Sequence, residues 1–359
     1  MQNQYQFIPT FSLTPNKIVS FNTVFRYSDR LKEYQHISKT RQANYTIIDG
    51  KLIKETIKRS SHNLKISDNA YRTLQNKINW LYYLATPKKV KTYHNAVIFN
   101  FKINFITLTL PSKQLKCTSD TTNQLLNQFI TEIRARFNVV NYVWRLEFQK
   151  NGNVHYHIVT DTYIDYFHLR SIWNRIIAKH GYIKAYQDKM NGLTLLDYHK
   201  LYNYNNKVTF KENSLRYAKG VQCKWTKPPT VDVKSVISNK AISSYISKYF
   251  SKDNNNNIIM NELDNDSNTK NMRLWFCSRS LSKLKTVSEY TEAYKFDIFG
   301  IISQAKDYFL FKTKYADIIN FSIDSMIGNA RKWIDYILKK YAINLGYCPW
   351  GVDILRGSP

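Results

Sequence analysis

Residues 142–160 read YVWRLEFQKNGNVHYHIVT, two alternating apolar runs joined by a polar link. The way the runs pair decides both the fold and the chemistry. Alternation over seven residues is the pattern of a half-buried strand, and Asn151-Gly152 marks a turn between two of them. A two-residue turn would set Phe148 opposite His155 and mix polar with apolar side chains on each face. A three-residue loop of Lys150, Asn151 and Gly152, with Gly152 left-handed, instead pairs Gln149 with Asn153 and Glu147 with His155. Trp144, Leu146 and Phe148 then share a face with Val154, Tyr156 and Ile158, and the opposite face carries Glu147, His155 and His157.

On that face, Cβ atoms of directly opposed residues stand about 5 Å apart. Two imidazoles and a carboxylate converging there form a three-ligand set with positions left open. Such a set suits a divalent ion that accepts mixed nitrogen and oxygen donors. An isolated His-x-His pair more often lines a polar face; Glu147 in the register demanded by the apolar face favours the metal site.

Outward from the hairpin, FNFKINFITLTLP at 99–111 is alternating and β-branched, a strand ended by Pro111. Asp120 opens a helix with Leu125, Leu126, Phe129, Ile130, Ile133 and Phe137 on one stripe. Asp165 caps a second helix, with Leu169, Ile172, Trp173, Ile176 and Ile177 inward and Gly181 after its end. PTVDVKSVI at 229–237 supplies a further strand, and SNKAISSYISKYFSK at 238–252 a helix capped by Ser238. The order β-α-β-β-α-insert-β-α predicts an α+β fold: a split βαβ, ferredoxin- or RRM-like antiparallel sheet with helices on one face. Residues 99–285 form this domain, with a basic insert at 182–228. Residues 1–98 are a basic N-terminal extension, and 286–359 a mixed, partly helical C-terminal region with an amphipathic helix around 324–341. Within the extension, 67–86 is helical and serves either to contact nucleic acid or to pack.

The composition narrows the partner. There are 53 Lys and Arg against 26 Asp and Glu, a net charge of +27, with 27 Tyr and 7 Trp among the basic residues. Cationic groups interleaved with aromatic rings favour nucleic acid, single strands above all. An AT-rich genome also writes abundant Lys, Asn, Ile and Tyr. The four cysteines form no CxxC or CxxH pair, which points to neither zinc nor a disulfide scaffold. Neither a signal peptide nor an apolar run of about 18 residues is present, so the expectation is a soluble protein without membrane partners.

The helix at 245–252, YISKYFSK, carries Tyr-x-x-Lys twice. Tyr245 and Tyr249 stand at i and i+4, so both hydroxyls leave one face, each with a lysine at i+3, Lys248 and Lys252. A nearby ammonium favours phenolate and can hold a phosphate oxygen. Tyrosines at this spacing also serve as packing. A metal beside an attacking tyrosine, however, makes a complete apparatus for phosphodiester transesterification.

Three elements in this order, FITLTLP at 105–111, the Glu147/His155/His157 hairpin and the tyrosine helix, resemble the HUH superfamily of single-strand endonucleases. The similarity covers about 99–285, and the paired tyrosines are similar to those of rolling-circle replication initiators of small bacterial DNA phages and plasmids, with EFQKNGNVHYHIVTD closest in style to those of Bacteroidota. The resemblance implies Mg²⁺ or Mn²⁺ on Glu147, His155 and His157, and a 5′-phosphate link to Tyr245 or Tyr249. It further implies that the freed 3′ hydroxyl primes a host polymerase, and that the second tyrosine closes the displaced strand into a circle. No GxxxxGK[ST] is present, so unwinding falls to a host helicase, in the cytoplasm of a bacterial host. Tyr217, Lys219, Lys224 and Trp225 of the insert are candidates for holding the strand, with Lys252 beside the tyrosines. The alternatives are an HUH transposase recognising a hairpin end, a relaxase, disfavoured by the motif order, or a non-catalytic DNA-binding regulator. A cupin-like barrel is disfavoured because helices interrupt the strands.

Overall fold

The computed structural model describes residues 5–28, 33–36, 45–48, 51–54, 66–92, 96–116, 118–149, 151–203, 208–237, 273–284, 287–290, 308–313 and 316–344. The N-terminal third contributes strands β1 (Tyr5–Thr14), β2 (Lys17–Ser28), β3 (Glu33–His36), β4 (Tyr45–Ile48) and β5 (Lys51–Lys54), then helix α1 (Asp68–Leu84). Strands β6 (Lys88–Lys91) and β7 (Ile98–Phe101) pair with each other. The central sheet follows: β8 (Ile103–Thr109), β9 (Tyr142–Phe148), β10 (Val154–Thr160), β11 (Val231–Val236) and β12 (Trp275–Cys277).

The spatial order of that sheet is β11-β8-β10-β9-β12, and every neighbouring pair is antiparallel. Strands β8 and β9 therefore run parallel with β10 between them. The segment that joins β8 to β9 is helical throughout: Thr118–Asp120, a π-helical turn at Thr121–Leu126, and α2 (Asn127–Phe137). This is the expected split βαβ unit, with β12 added at one edge. The expected single strand at 99–111 is two, because the chain changes partner at Lys102 between β7 and β8.

Helix α3 (Tyr166–Lys179) starts where Asp165 accepts a hydrogen bond from the Phe167 amide at 2.9 Å, the N-cap read from sequence. Its Leu169, Ile172, Trp173, Ile176 and Ile177 pack with Phe129, Ile130 and Ile133 of α2 against one face of the sheet, on Ile106, Leu108, Leu146, Tyr156 and Ile158. Trp173 and Tyr156 are fully buried.

The opposite face is not bare. α1 lays Leu74, Ile78 and Leu81 over Ile103, Phe105, Val143, Val159 and Cys277. Of the two roles open for this helix, packing is the one the core assigns. The same cluster takes in Leu13 and Ile18 from the N-terminal hairpin, Ile319 and Phe321 of β15 (Ala316–Phe321), and Ile334 and Leu338 of α8 (Gly328–Asn344). The two ends of the chain meet in one sheet, in which β1 pairs with β13 (Val287–Tyr290) and β2 with β15, which in turn pairs with β14 (Tyr308–Lys312). Cys277 is buried, whereas its neighbour Phe276 is 37% exposed.

The basic insert is a bundle of three helices, α4 (Tyr182–Asn191), α5 (Leu195–Tyr202) and α6 (Phe210–Gln222). α5 and α6 each begin with a capping box, Thr194 with Asp197 and Thr209 with Glu212. A short helix, α7 (Arg279–Lys283), follows β12. Among the described residues no helix is long and apolar enough to cross a membrane.

Candidate metal centre and strand-cleavage site

The hairpin adopts the three-residue loop. Gln149 N–H donates to the Asn153 carbonyl at 2.8 Å, Gly152 N–H to the Gln149 carbonyl at 3.0 Å, and Gly152 has φ +81°. A side chain at that φ would be strained, which is why the turn needs glycine. His155 stands opposite Glu147, and His157 opposite Arg145. On the other side of β10, His155 faces Thr109 and His157 faces Thr107, and Thr107 in turn faces Asp232 of β11.

Burial locates the opening. Of all the residues in β8, β9 and β10, four are not buried: Thr107, Thr109, Glu147 and His155. They occupy one end of the face whose other end lies under α1. His157 and Arg145, at 7% and 6% exposed, line the boundary between the open and covered ends.

Within the opening, His157 Nε2 and Glu147 Oε2 form an ion-pair contact at 2.7 Å. His157 Nδ1 meets the Thr107 hydroxyl at 3.2 Å, and His155 Nε2 meets that of Thr109 at 3.2 Å. The two imidazoles are nearly perpendicular, with centroids 5.9 Å apart. Among the described residues no group of three His, Cys, Asp or Glu side chains is arranged to hold a metal ion. Hence the backbone brings the three expected residues to one face, while the side chains are arranged as a pair, Glu147 with His157, and a neighbour, His155, turned towards Thr109.

The donor chemistry nevertheless fits a divalent ion. Two ligands at about 2.1 Å in octahedral geometry stand roughly 3 Å apart. At 2.7 Å, Glu147 Oε2 and His157 Nε2 need separate by only a fraction of an ångström to become ligands. Thr107 and Thr109 are the outer partners that fix imidazole orientation in metal sites. They were missed in the sequence reading, although Thr107 and Thr109 repeat the i, i+2 spacing of the two histidines on the adjoining strand. Asp232 lies in the His157 row but is exposed, with Lys234 Nζ 3.8 Å away. His180 is the C-cap of α3.

Tyr245, Lys248, Tyr249 and Lys252 lie outside the described residues. The point from which their segment departs is described. β11 ends at Val236, and the carbonyl of Ile237 accepts a hydrogen bond from the Tyr82 hydroxyl of α1 at 2.7 Å. That hydroxyl also contacts Asp324 Oδ2, and Lys102 places its ammonium 3.5 Å from the Tyr82 ring centroid and 3.6 Å from Asp324 Oδ1. Residues from the N-terminal, central and C-terminal parts thus hold the strand end that leads into 238–252.

The insert requires a correction. Trp225 was expected to stack on a base, but it is 5% exposed, enclosed by Tyr186, Tyr198 and Tyr217. Its ring lies so close to Gly220 that a Cβ there would sit 1.9 Å from Trp225 Cζ3. Tyr217 is partly buried, and its hydroxyl donates to the Leu193 carbonyl at 2.8 Å. These rings build the insert's own small core and have no free faces of the kind a stacking platform needs. Burial raises the Tyr186 phenol far above the ordinary tyrosine range, the neighbouring Tyr202 and Tyr198 adding to it. Lys219 and Lys224 are exposed, as expected of strand contacts.

Residues 103–254 match the family model of the ORF2-type replication-associated protein, which supports a replication-initiator family for this part of the chain. The matched span begins with β8 and takes in the hairpin, the insert and the double Tyr-x-x-Lys segment. No curated protein and no solved structure matches the chain.

Proposed function

We propose that this chain is a replication initiation protein that cuts single-stranded origin DNA by tyrosine transesterification and rejoins strands in rolling-circle replication. The observation that carries the reading is the open end of the sheet. Glu147, His155 and His157 share one face there in the register that the apolar face demanded, within a span similar to replication-associated proteins.

In this reading Glu147, His155 and His157 would hold Mg²⁺ or Mn²⁺, His155 by turning from Thr109; the bound ion would supply electrostatic stabilisation to a phosphodiester. The phenol of Tyr245 or Tyr249 loses its proton and its oxygen attacks phosphorus. The P–O3′ bond breaks, the departing O3′ takes up a proton, and the tyrosine keeps a 5′-phosphate ester. Lys248 and Lys252 favour the phenolate and hold a phosphate oxygen. The second tyrosine repeats the step in the later strand exchange. Thr107 hydrogen-bonds the imidazole edge of His157 away from Glu147, so the Nε2 lone pair is presented once its proton leaves. A host helicase and polymerase would act on the opened strand, in a bacterial cytoplasm.

The test is a denaturing gel with a single-stranded oligonucleotide library and Mn²⁺, comparing wild type, Y245F, Y249F, the double variant and H157A. The expected result is a protein–DNA adduct that needs metal and His157 and vanishes in the double tyrosine variant. Strand binding without any adduct would instead favour the non-catalytic DNA-binding reading.

A further inference from the structure

A second polar concavity lies away from the central sheet's open end. It is a cleft of about 500 Å³ between the β1–β2 hairpin and the N-terminal half of α1. Lys17 and Arg72 line it together with Asn16, Asn76, Asn79 and Asn320, and no carboxylate is among its lining residues. A third cation in its wall, Lys77, is already committed: its ammonium donates to the Leu281 carbonyl at 2.8 Å and to that of Leu284 at the end of α7. Lys17 and Arg72 are different, because they stand as like charges close enough to repel. Burial and then Arg72 hold the Lys17 ammonium below the ordinary lysine range.

Two cations held together in a partly desolvated cleft destabilise the empty protein unless an anion joins them. The amides point the same way. Asn76 Oδ1 is buried with no hydrogen-bond partner, and Asn79 is only 6% exposed. An orphaned amide oxygen calls for a donor, which the amino groups of a nucleobase supply and inorganic phosphate does not. The volume lies within the ~300–1,000 Å³ range of ligand sites.

We propose that this cleft binds one nucleotide unit, its phosphate between Lys17 and Arg72 and its base edge against Asn76 and Asn79. The unit is either a free nucleotide or one residue of a DNA strand; both present the same phosphate and base. This site is separate from the cleavage chemistry and stands whether or not the tyrosines react.

The full-length protein tests it, using K17Q/R72Q and a charge-matched control, K332Q/K340Q, at two exposed lysines of α8. Binding of fluorescein-labelled dT20 is followed by anisotropy over a series of KCl concentrations, and melting with and without dAMP. Each lost phosphate contact to a single strand lowers the slope of log K against log salt by about 0.7. If the unit belongs to a strand, K17Q/R72Q loses about 1.4 in slope relative to the control. If it is a free nucleotide, dAMP raises the wild-type melting temperature and not the variant's. In either case the ligand-free variant melts higher than wild type, because the like-charge pair is gone. Equal losses in the control, unchanged slope with no dAMP effect, or a lower melting temperature with binding retained would each overturn the proposal. If the double variant does not fold, R72Q alone, at an exposed helix position, reads half the slope change.

Discussion

The central sheet has two faces built from alternate residues of the same strands, and they serve different ends. On one, Trp144, Leu146, Tyr156 and Ile158 disappear beneath α2 and α3. On the other, Val143, Phe105 and Val159 are covered by α1, and then the cover stops. Beyond that line stand Arg145, Glu147, His155 and His157. Neighbours such as Leu146 and Glu147 therefore belong to different problems, one to stability and one to chemistry. A face closed along its whole length can only support. A face closed along half its length gives rigid, half-desolvated side chains beside an opening, where electrostatic interactions are stronger than in water and substrate can still enter.

Substitutions on the two faces separate these roles, the largest effect coming from the closed one. Trp173→Ala removes a fully buried indole that packs on Phe129 and Tyr156, and should cost about 3–5 kcal/mol in urea unfolding. A loss under about 1 kcal/mol would mean that this face is not the main core.

On the open face, His155→Ala should lower adduct formation by at least about 100-fold, about 2.7 kcal/mol in barrier, with little change in urea midpoint. An equal loss of stability and activity would make His155 a packing residue. Thr107→Val keeps the shape and removes the hydroxyl that meets His157 Nδ1. Adduct yield at limiting Mn²⁺ should fall by about 10-fold and recover at high Mn²⁺, as expected of an outer partner that orients a ligand. A loss that saturating metal does not repair would place the role elsewhere.

The smallest effect concerns Asp161, just beyond the end of β10. Burial raises its carboxyl above the ordinary 3.8, although Asn141 donates to it at 2.7 Å. A raised carboxylate value means that the folded state holds the proton more tightly. Stability on this account falls as pH rises from about 3.8 through the folded value, and the ionised form is the less stable. Asp161→Asn removes the dependence, so its urea midpoint should improve relative to wild type across that rise. A constant difference at every pH would show that the group does not titrate on folding.

Much of the sheet was legible because its signals are local. Alternation named β9 and β10, the apolar face chose their register, and Asp165 marked the start of α3. The insert was half legible. Thr194 with Asp197 and Thr209 with Glu212 announce two helix starts, but its rings were read by composition as a surface for bases, and they form a core. Lys224 and Trp225 both adopt positive φ, at 51° and 53°, a backbone cost that burying the indole offsets and that no residue pattern declares. The cover over half of the site face was not legible at all, because α1 is followed by β6 and β7 before the chain enters the sheet it covers.

By itself the sequence determined that Glu147, His155 and His157 share a face, since a period of two leaves a strand with one buried side no other choice. It likewise determined the strong positive charge, which depends on no fold. Only the tertiary structure decided where that face is open, which hydroxyls meet the imidazoles, and that Lys17 and Arg72, 55 positions apart by number, line one cleft. Periodicity is a property of consecutive residues, whereas cover, opening and long-range encounter arise only when distant segments compete for the same apolar surface.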